Sequence, residues 1–168
     1  TKDDWNNKNL TKLWLYNLHY FDFLNSKNNK NFIERNKKII YKWIDDNDPF
    51  EGVGWEPYPS SLRIVNWIRW LILSKISDEK IEKSLALQIR WLNKNLEYDL
   101  LGNHLMANAK ALVFGGFFFK NIEAENWKKK GIRILNEQLK EQILNDGGHF
   151  ERSPMYHCII LEDLLDLN

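Results

Sequence analysis

One cysteine, Cys158, is all the thiol chemistry that the 168 residues hold. An intrachain disulfide and a cysteine-built metal site are thereby excluded, and the redox compartment stays open. The chain also lacks an excess of either charge: 24 basic and 23 acidic residues leave a formal net charge of +1. Spread along the chain, that balance offers no electrostatic footprint for duplex nucleic acid. Even Lys128-Lys129-Lys130 projects its charges in different directions from a helix and reads as a solvated face. No stretch approaches the roughly 18 uninterrupted apolar residues that span a bilayer, and no basic-then-apolar leader pattern opens the chain. His149 and His157 stand eight apart across a turn, and no His-Glu-x-x-His pair exists. Gly-x-Ser-x-Gly and both glycine-rich phosphate fingerprints are missing too. Neither a metal nor another cofactor is expected.

What is present is ordinary globular composition, with 43% hydrophobic and 28% charged residues. The length suits one domain with a real core, so residues 1–168 read as a single helical domain. Eight Trp, nine Phe and six Tyr are the unusual feature. Such rings bury large areas, and their faces also stack on sugars, so the excess fits a core or a ligand groove. No Met opens the sequence, and the apolar pattern of Ile159 to Leu167 is still running at its end. Both features predict a piece of a longer protein.

Apolar spacing predicts helices throughout. Leu13 to Leu24 reads as a buried helix or a partly extended segment, Asn25 to Lys30 as a polar loop, and Phe32 to Ile44 as an amphipathic helix. Three prolines and two glycines between Asp45 and Ser61 predict a long loop containing Gly54-Trp55-Glu56-Pro57-Tyr58-Pro59. Ser60 or Ser61 is the expected cap of a helix from Leu62 to Lys75. There Arg63, Asn66 and Arg69 recur among apolar residues, facing either a wet groove or plain solvent. Ser77 is expected to cap a helix from Asp78 to Tyr98, Asn103 one reaching Phe114, and a further helix runs from Ala124 to Asn145. Ser153-Pro154 then starts another, with Tyr156 and His157 in its first turn. No segment reads as a strand, and stacked antiparallel helix pairs are the expected architecture, as an array, a solenoid or a closed toroid.

Polar groups and special backbone coincide at the Trp55 loop, at Gly102-Asn103-His104 and at Gly147 to His157. Helix starts separated by one complete helix fall at the same end of an antiparallel array, so Asn103 and Tyr156 are candidates for one face. Two chemistries fit these residue types. Glu56 with Glu151 could supply the acid and the base or nucleophile of a glycoside hydrolase. Alternatively, Asn103 and His104 could donate to a carboxylate while Tyr156 moves a proton on the neighbouring carbon. Each residue also has a plainer role, as cap, packed ring or core edge, which leaves a non-catalytic glycan-binding helical module open.

Four stretches stand out together: Asn17-Leu18-His19-Tyr20-Phe21-Asp22; Gly54-Trp55-Glu56-Pro57-Tyr58-Pro59 with Leu62-Arg63-Ile64-Val65-Asn66-Trp67; Gly102-Asn103-His104-Leu105-Met106-Ala107-Asn108-Ala109-Lys110-Ala111-Leu112; and Asp146-Gly147-Gly148-His149-Phe150-Glu151-Arg152-Ser153-Pro154-Met155-Tyr156-His157. As a set they resemble the N-terminal helical domain of the heparinase II/III-like polysaccharide lyases. The resemblance implies an all-α fold, an incomplete (α/α) toroid followed in full-length members by a β-sandwich region that this chain does not contain. It implies a bacterial, periplasmic or secreted enzyme acting on an acidic, uronate-containing polysaccharide such as a glycosaminoglycan by β-elimination. Asn103 would then neutralise the uronate carboxylate with help from His104, and Tyr156 would act as base and acid. Trp55, Glu56, Tyr58, Arg63, His149, Glu151, Arg152 and His157 would line the groove. A further catalytic His would come from the absent β region, so this piece alone is expected to be inactive.

Overall fold

Apolar periodicity becomes seven α-helices, and the described residues contain no strand. A computed structural model describes residues 2–27, 32–100 and 102–168. The chain packs as two compact units, Thr1–Lys94 and Asn95–Asn168.

In the first unit Thr11 caps α1 (Lys12–Tyr20), its side chain accepting from the Trp14 N–H. The helix stops where Phe21 turns left-handed, at φ 63°. That conformation costs a non-glycine residue about 1–2 kcal/mol. Burial of the Phe21 ring to 1% exposure offsets it, since such burial stabilises by about 1.5–3 kcal/mol. A 3₁₀ turn, Asp22–Asn25, follows and divides the segment that reads from sequence as one apolar block. α2 (Ile33–Asp46) inserts Trp43 into the core, where it meets Trp67 edge-on with centroids 5.5 Å apart.

The next helix begins earlier than expected. α3 spans Pro57–Ser74, with Glu56 at the cap position and a 3₁₀ turn, Val53–Trp55, just before it. The expected long loop is therefore short, because Pro57 and Pro59 fall in the first turn, where a missing N–H costs nothing. Ser60 and Ser61 are not caps. They lie inside the helix, bonded to the carbonyls of Gly54 and Pro57. Nor does Ser77 cap α4 (Glu79–Lys94): Asp78 Oδ1 accepts from the Ile81 N–H, and Glu82 answers by accepting from the Asp78 N–H. That reciprocal pattern satisfies two backbone donors at once.

His19 lies at the centre of this unit, fully buried. Its Nδ1 accepts from the indole N–H of Trp43 at 2.8 Å, and its Nε2 lies 3.0 Å from the Trp5 carbonyl. Only the neutral Nε2–H tautomer satisfies both contacts, because a proton on Nδ1 would face another donor. Gly54 leaves the ring its room, since a Cβ there would stand 2.5 Å from His19 Nδ1.

The second unit contains α5 (Gly102–Phe118), α6 (Ile122–Gln142) and α7 (Pro154–Leu167). α5 and α6 pack antiparallel at very close range. A Cβ on Gly131 would come within 2.7 Å of the Ala109 carbonyl, and one on Gly116 within 2.5 Å of Lys128 Cβ. Leu105, Met106, Ala109, Val113, Ile134, Leu135 and Ile160 form the core between the three helices. Within this apolar setting Lys110 is buried, and its ammonium bonds Asp163 at 2.8 Å and Asp166 at 2.6 Å. Burial pushes the Asp163 carboxyl above the usual range, and the Lys110 charge opposes that shift.

Two stability tests follow from the buried polar groups. Burial and the Arg63 charge lower the His19 pKa to about 4, whereas in the unfolded chain it protonates near the ordinary value of 6.5. The neutral ring's contribution is complete above pH 6.5 and is lost as pH falls toward 4. Between pH 7 and pH 5 the loss amounts to about 2 kcal/mol. Urea titrations across this range should show that much of the pH slope vanishing in His19→Gln. Lys110→Met leaves two carboxylates facing each other without a cation, and should cost about 3–5 kcal/mol in the same assay. Replacing Asp163 by Asn in that background should restore part of the loss.

Candidate active site

The starts of α5 and α7 lie at one end of the second unit. Gln142, the last residue of α6, donates from Nε2 to the Gly102 carbonyl at 3.1 Å, which joins the end of α6 to the start of α5. The chain then reverses through an antiparallel bridge between Ile143 and His149, and the Phe150 N–H returns to the Gln142 carbonyl at 2.8 Å. Gly147 makes the reversal possible at φ 83°, and Asp146 closes it by accepting from the Gly148 N–H. α7 opens five residues further on from the bridge, at Pro154, and therefore runs parallel to α5. Ser153 stands at its cap position, as expected, but its hydroxyl makes no capping bond.

Lys110 and Asp163 fix the register of these parallel helices. Asn103 precedes Lys110 by seven residues, and Tyr156 precedes Asp163 by seven. Seven residues are almost two full helical turns, so each residue lies on the same face as its later counterpart. Asn103 and Tyr156 consequently lie in the first turns of two helices aligned by the Lys110–Asp163 bond. Both helix dipoles present their positive ends there, and two aligned N-termini favour an anion.

His104, a third exposed in its side chain, places Nδ1 3.0 Å from Glu97 Oε1. The other Glu97 oxygen accepts from the Asn108 amide at 3.0 Å, and the Glu97 N–H donates back to Asn108 Oδ1 at 2.9 Å. Glu151 is exposed, and its Oε1 lies 3.7 Å from where a Cβ on Gly102 would be. Asn103 is not the helix cap, since α5 already begins at Gly102. His149 is 2% exposed, with Nε2 3.2 Å from Gln142 Oε1 and its ring 6.4 Å from that of Tyr156. Because Gln142 Nε2 donates elsewhere, Gln142 Oε1 is the acceptor, and His149 Nδ1 is left buried with no hydrogen-bond partner among the described residues. Arg152 is exposed at φ 54°, and His157 is half-buried one residue after Tyr156.

The remaining candidates belong to the first unit, where Arg63 and Trp55 are buried and Glu56 and Tyr58 half-buried. Arg63 is corrected outright: it is fully buried, and its guanidinium donates to Gln88, Gly54 and Ser60 while lying 3.8 Å over the Trp43 ring. Of the polar stripe on this helix, Arg63 belongs to an interior hydrogen-bond network, whereas Asn66 and Arg69 are half-buried. Trp55 is 3% exposed and packs on Trp43, Phe50 and Trp91. Glu56 is held by the Tyr16 hydroxyl and by Lys12 at 2.8 Å. Tyr58 packs its ring between Tyr16 and Tyr20, at 6.4 and 6.0 Å. Glu97, Asn108 and Gln142 are the polar groups that the motifs did not single out. Asn108 and Lys110 carried a usable signal, because a polar group inside an otherwise apolar helix requires a partner.

These observations define an all-helical domain with amide, imidazole and phenol groups on the first turns of two parallel helices. The chain belongs to the family described as Heparinase II/III N-terminus, which matches residues 9–168. It is 28% identical over 161 residues to a heparin-sulfate lyase of Bacteroides thetaiotaomicron, covering 80% of this chain and 22% of that protein. Shorter matches are to heparin-sulfate lyases of Bacteroides stercoris, 44% identical over 61 residues, and Pedobacter heparinus, 35% over 65 residues. The former covers 36% of this chain and 9% of the relative, the latter 38% and 10%. This is a polysaccharide lyase family domain, and it spans about a fifth of the length of the Bacteroides thetaiotaomicron relative. No solved structure matches it.

Gln142 joins α5, α6 and the His149 turn, so Gln142→Leu should strand the Gly102 carbonyl and His149 Nε2. Unsatisfied buried groups cost about 1–3 kcal/mol each. Amide hydrogen exchange should show the loosening concentrated at residues 102–104 and 143–150, and uniform protection across the unit would refute the assignment.

Proposed function

We propose that this domain is the helical part of a lyase that cleaves a uronate-containing acidic polysaccharide by β-elimination. The parallel first turns of α5 and α7, bearing Asn103 and Tyr156, carry the reading. Elimination beside an ionised carboxylate is slow, because the C5 proton is weakly acidic until the carboxylate charge is neutralised. Asn103 and His104 are the groups assigned to that neutralisation, reinforced by the two helix dipoles. Tyr156 takes the C5 proton, the C4–O4 bond breaks as the C4=C5 double bond forms, and the proton passes to O4 of the leaving sugar. Removing one preorganised donor of this kind costs about 10²- to 10³-fold in turnover.

Glu151, Arg152 and His157 are assigned to substrate contact around the same end. Trp55 and Tyr58 support the aromatic packing of the first unit. The site is completed by a catalytic His from a β-sandwich region of the same protein, and the helices form part of an incomplete toroid. A hydrolase built on Glu56 and Glu151 is disfavoured, because Glu56 already spends its carboxylate on Tyr16 and Lys12.

In the full-length protein, Tyr156→Phe should abolish the ultraviolet absorbance of the unsaturated product. Asn103→Ala should lower turnover by at least about 100-fold. Unchanged turnover in Tyr156→Phe would overturn the mechanism, and new reducing ends without the absorbance would establish hydrolysis instead.

A further inference from the structure

His104 does not choose its own orientation. Glu97, 8% exposed, meets it at 3.0 Å through Oε1. Oε2 of Glu97 and its backbone N–H are both bonded to Asn108, which is fully buried one helical turn beyond His104. The Glu97 carboxylate is thus referenced to α5 itself, with Asn108 and His104 on the same helical face. An ionised carboxylate can only accept, so the His104 nitrogen facing it must carry the hydrogen.

We propose that Glu97 is a positioning residue for His104, clamped by Asn108 so that the ring holds its hydrogen on Nδ1 and acts on substrate through Nε2. Any second proton on the ring then resides on Nε2, with the Glu97 carboxylate beside the other nitrogen. This deepens the lyase reading by assigning the group that lets His104 donate to a uronate carboxylate, and it rests on that reading for the substrate alone. Partners of this kind, which orient a functional imidazole through its other nitrogen, typically matter by about 10- to 100-fold.

Two measurements test it. Nitrogen-15 spectra of the His104 side chain in the native protein should show a protonated Nδ1 coupled across the hydrogen bond, and a bare Nδ1 would overturn the proposal. In the full-length protein Glu97→Gln should lower kcat by about 10- to 100-fold with KM changed less than about threefold. The same substitution in a His104→Gln background should have no further effect. An equal loss in both backgrounds would make Glu97 merely structural and overturn its positioning role. If Glu97→Gln fails to fold, the native spectrum still decides. Failure of the lyase reading registers separately, as full turnover in Tyr156→Phe, and leaves the Nδ1 result intact.

Discussion

A single buried ammonium group organises the second unit. Lys110 is buried on the apolar α5, with its ammonium 5.8 Å from the Phe114 ring, where a lone charge would cost several kcal/mol. Among the described residues, α7 offers it compensation, through Asp163 and Asp166. Hydrophobic contacts between α5 and α7 would tolerate sliding, since one apolar surface resembles another a turn away. A charged group that must meet its counter-charges tolerates almost none. The pairing therefore converts a general preference for burial into one alignment of two helices, and the polar ends of those helices inherit it.

The first unit solves a different problem with different means. Its core sets aromatic rings among aliphatic side chains, and two of its buried polar groups, His19 and Arg63, are each surrounded by partners and ring faces. Gly54 lies at the meeting point, with its carbonyl on Arg63 and no side chain to displace His19. The Gly-Trp-Glu-Pro-Tyr-Pro stretch thus reads as a packing device. Trp55 closes the core and Glu56 ties α1 to the start of α3.

Helix number and type were legible from apolar spacing, and most of the differences lie at the ends. Prolines 57 and 59 looked like loop residues but occupy a first helical turn, where proline and loop signals coincide. Asn103 looked like a cap because cap residues and first-turn residues share the same chemistry. Arg63 shows the deeper limit: i, i+3 spacing identifies a face, but not whether water or a carbonyl lies opposite. The candidate site was assembled from family resemblance, and spacing alone left hydrolysis and simple binding open. Glu97 escaped notice because its partners are reached only after the chain turns into α5, although Asn108, lodged in an apolar helix, announced that some partner existed.

The seven-residue offset shared by Asn103–Lys110 and Tyr156–Asp163 acts as a phase lock. Each helical residue advances the face by about 100°, so one inserted residue between Tyr156 and Asp163 would swing the phenol well away from α5 while the ion pair stayed in place. Length changes at the exposed tip of the turn, residues 144–147, carry no such angular penalty, because the Ile143–His149 bridge closes the turn behind them. The domain can thus vary its rim in size without disturbing the angle between its two polar first turns. Its geometry is set by counting along the helices, and only secondarily by the loop that joins them.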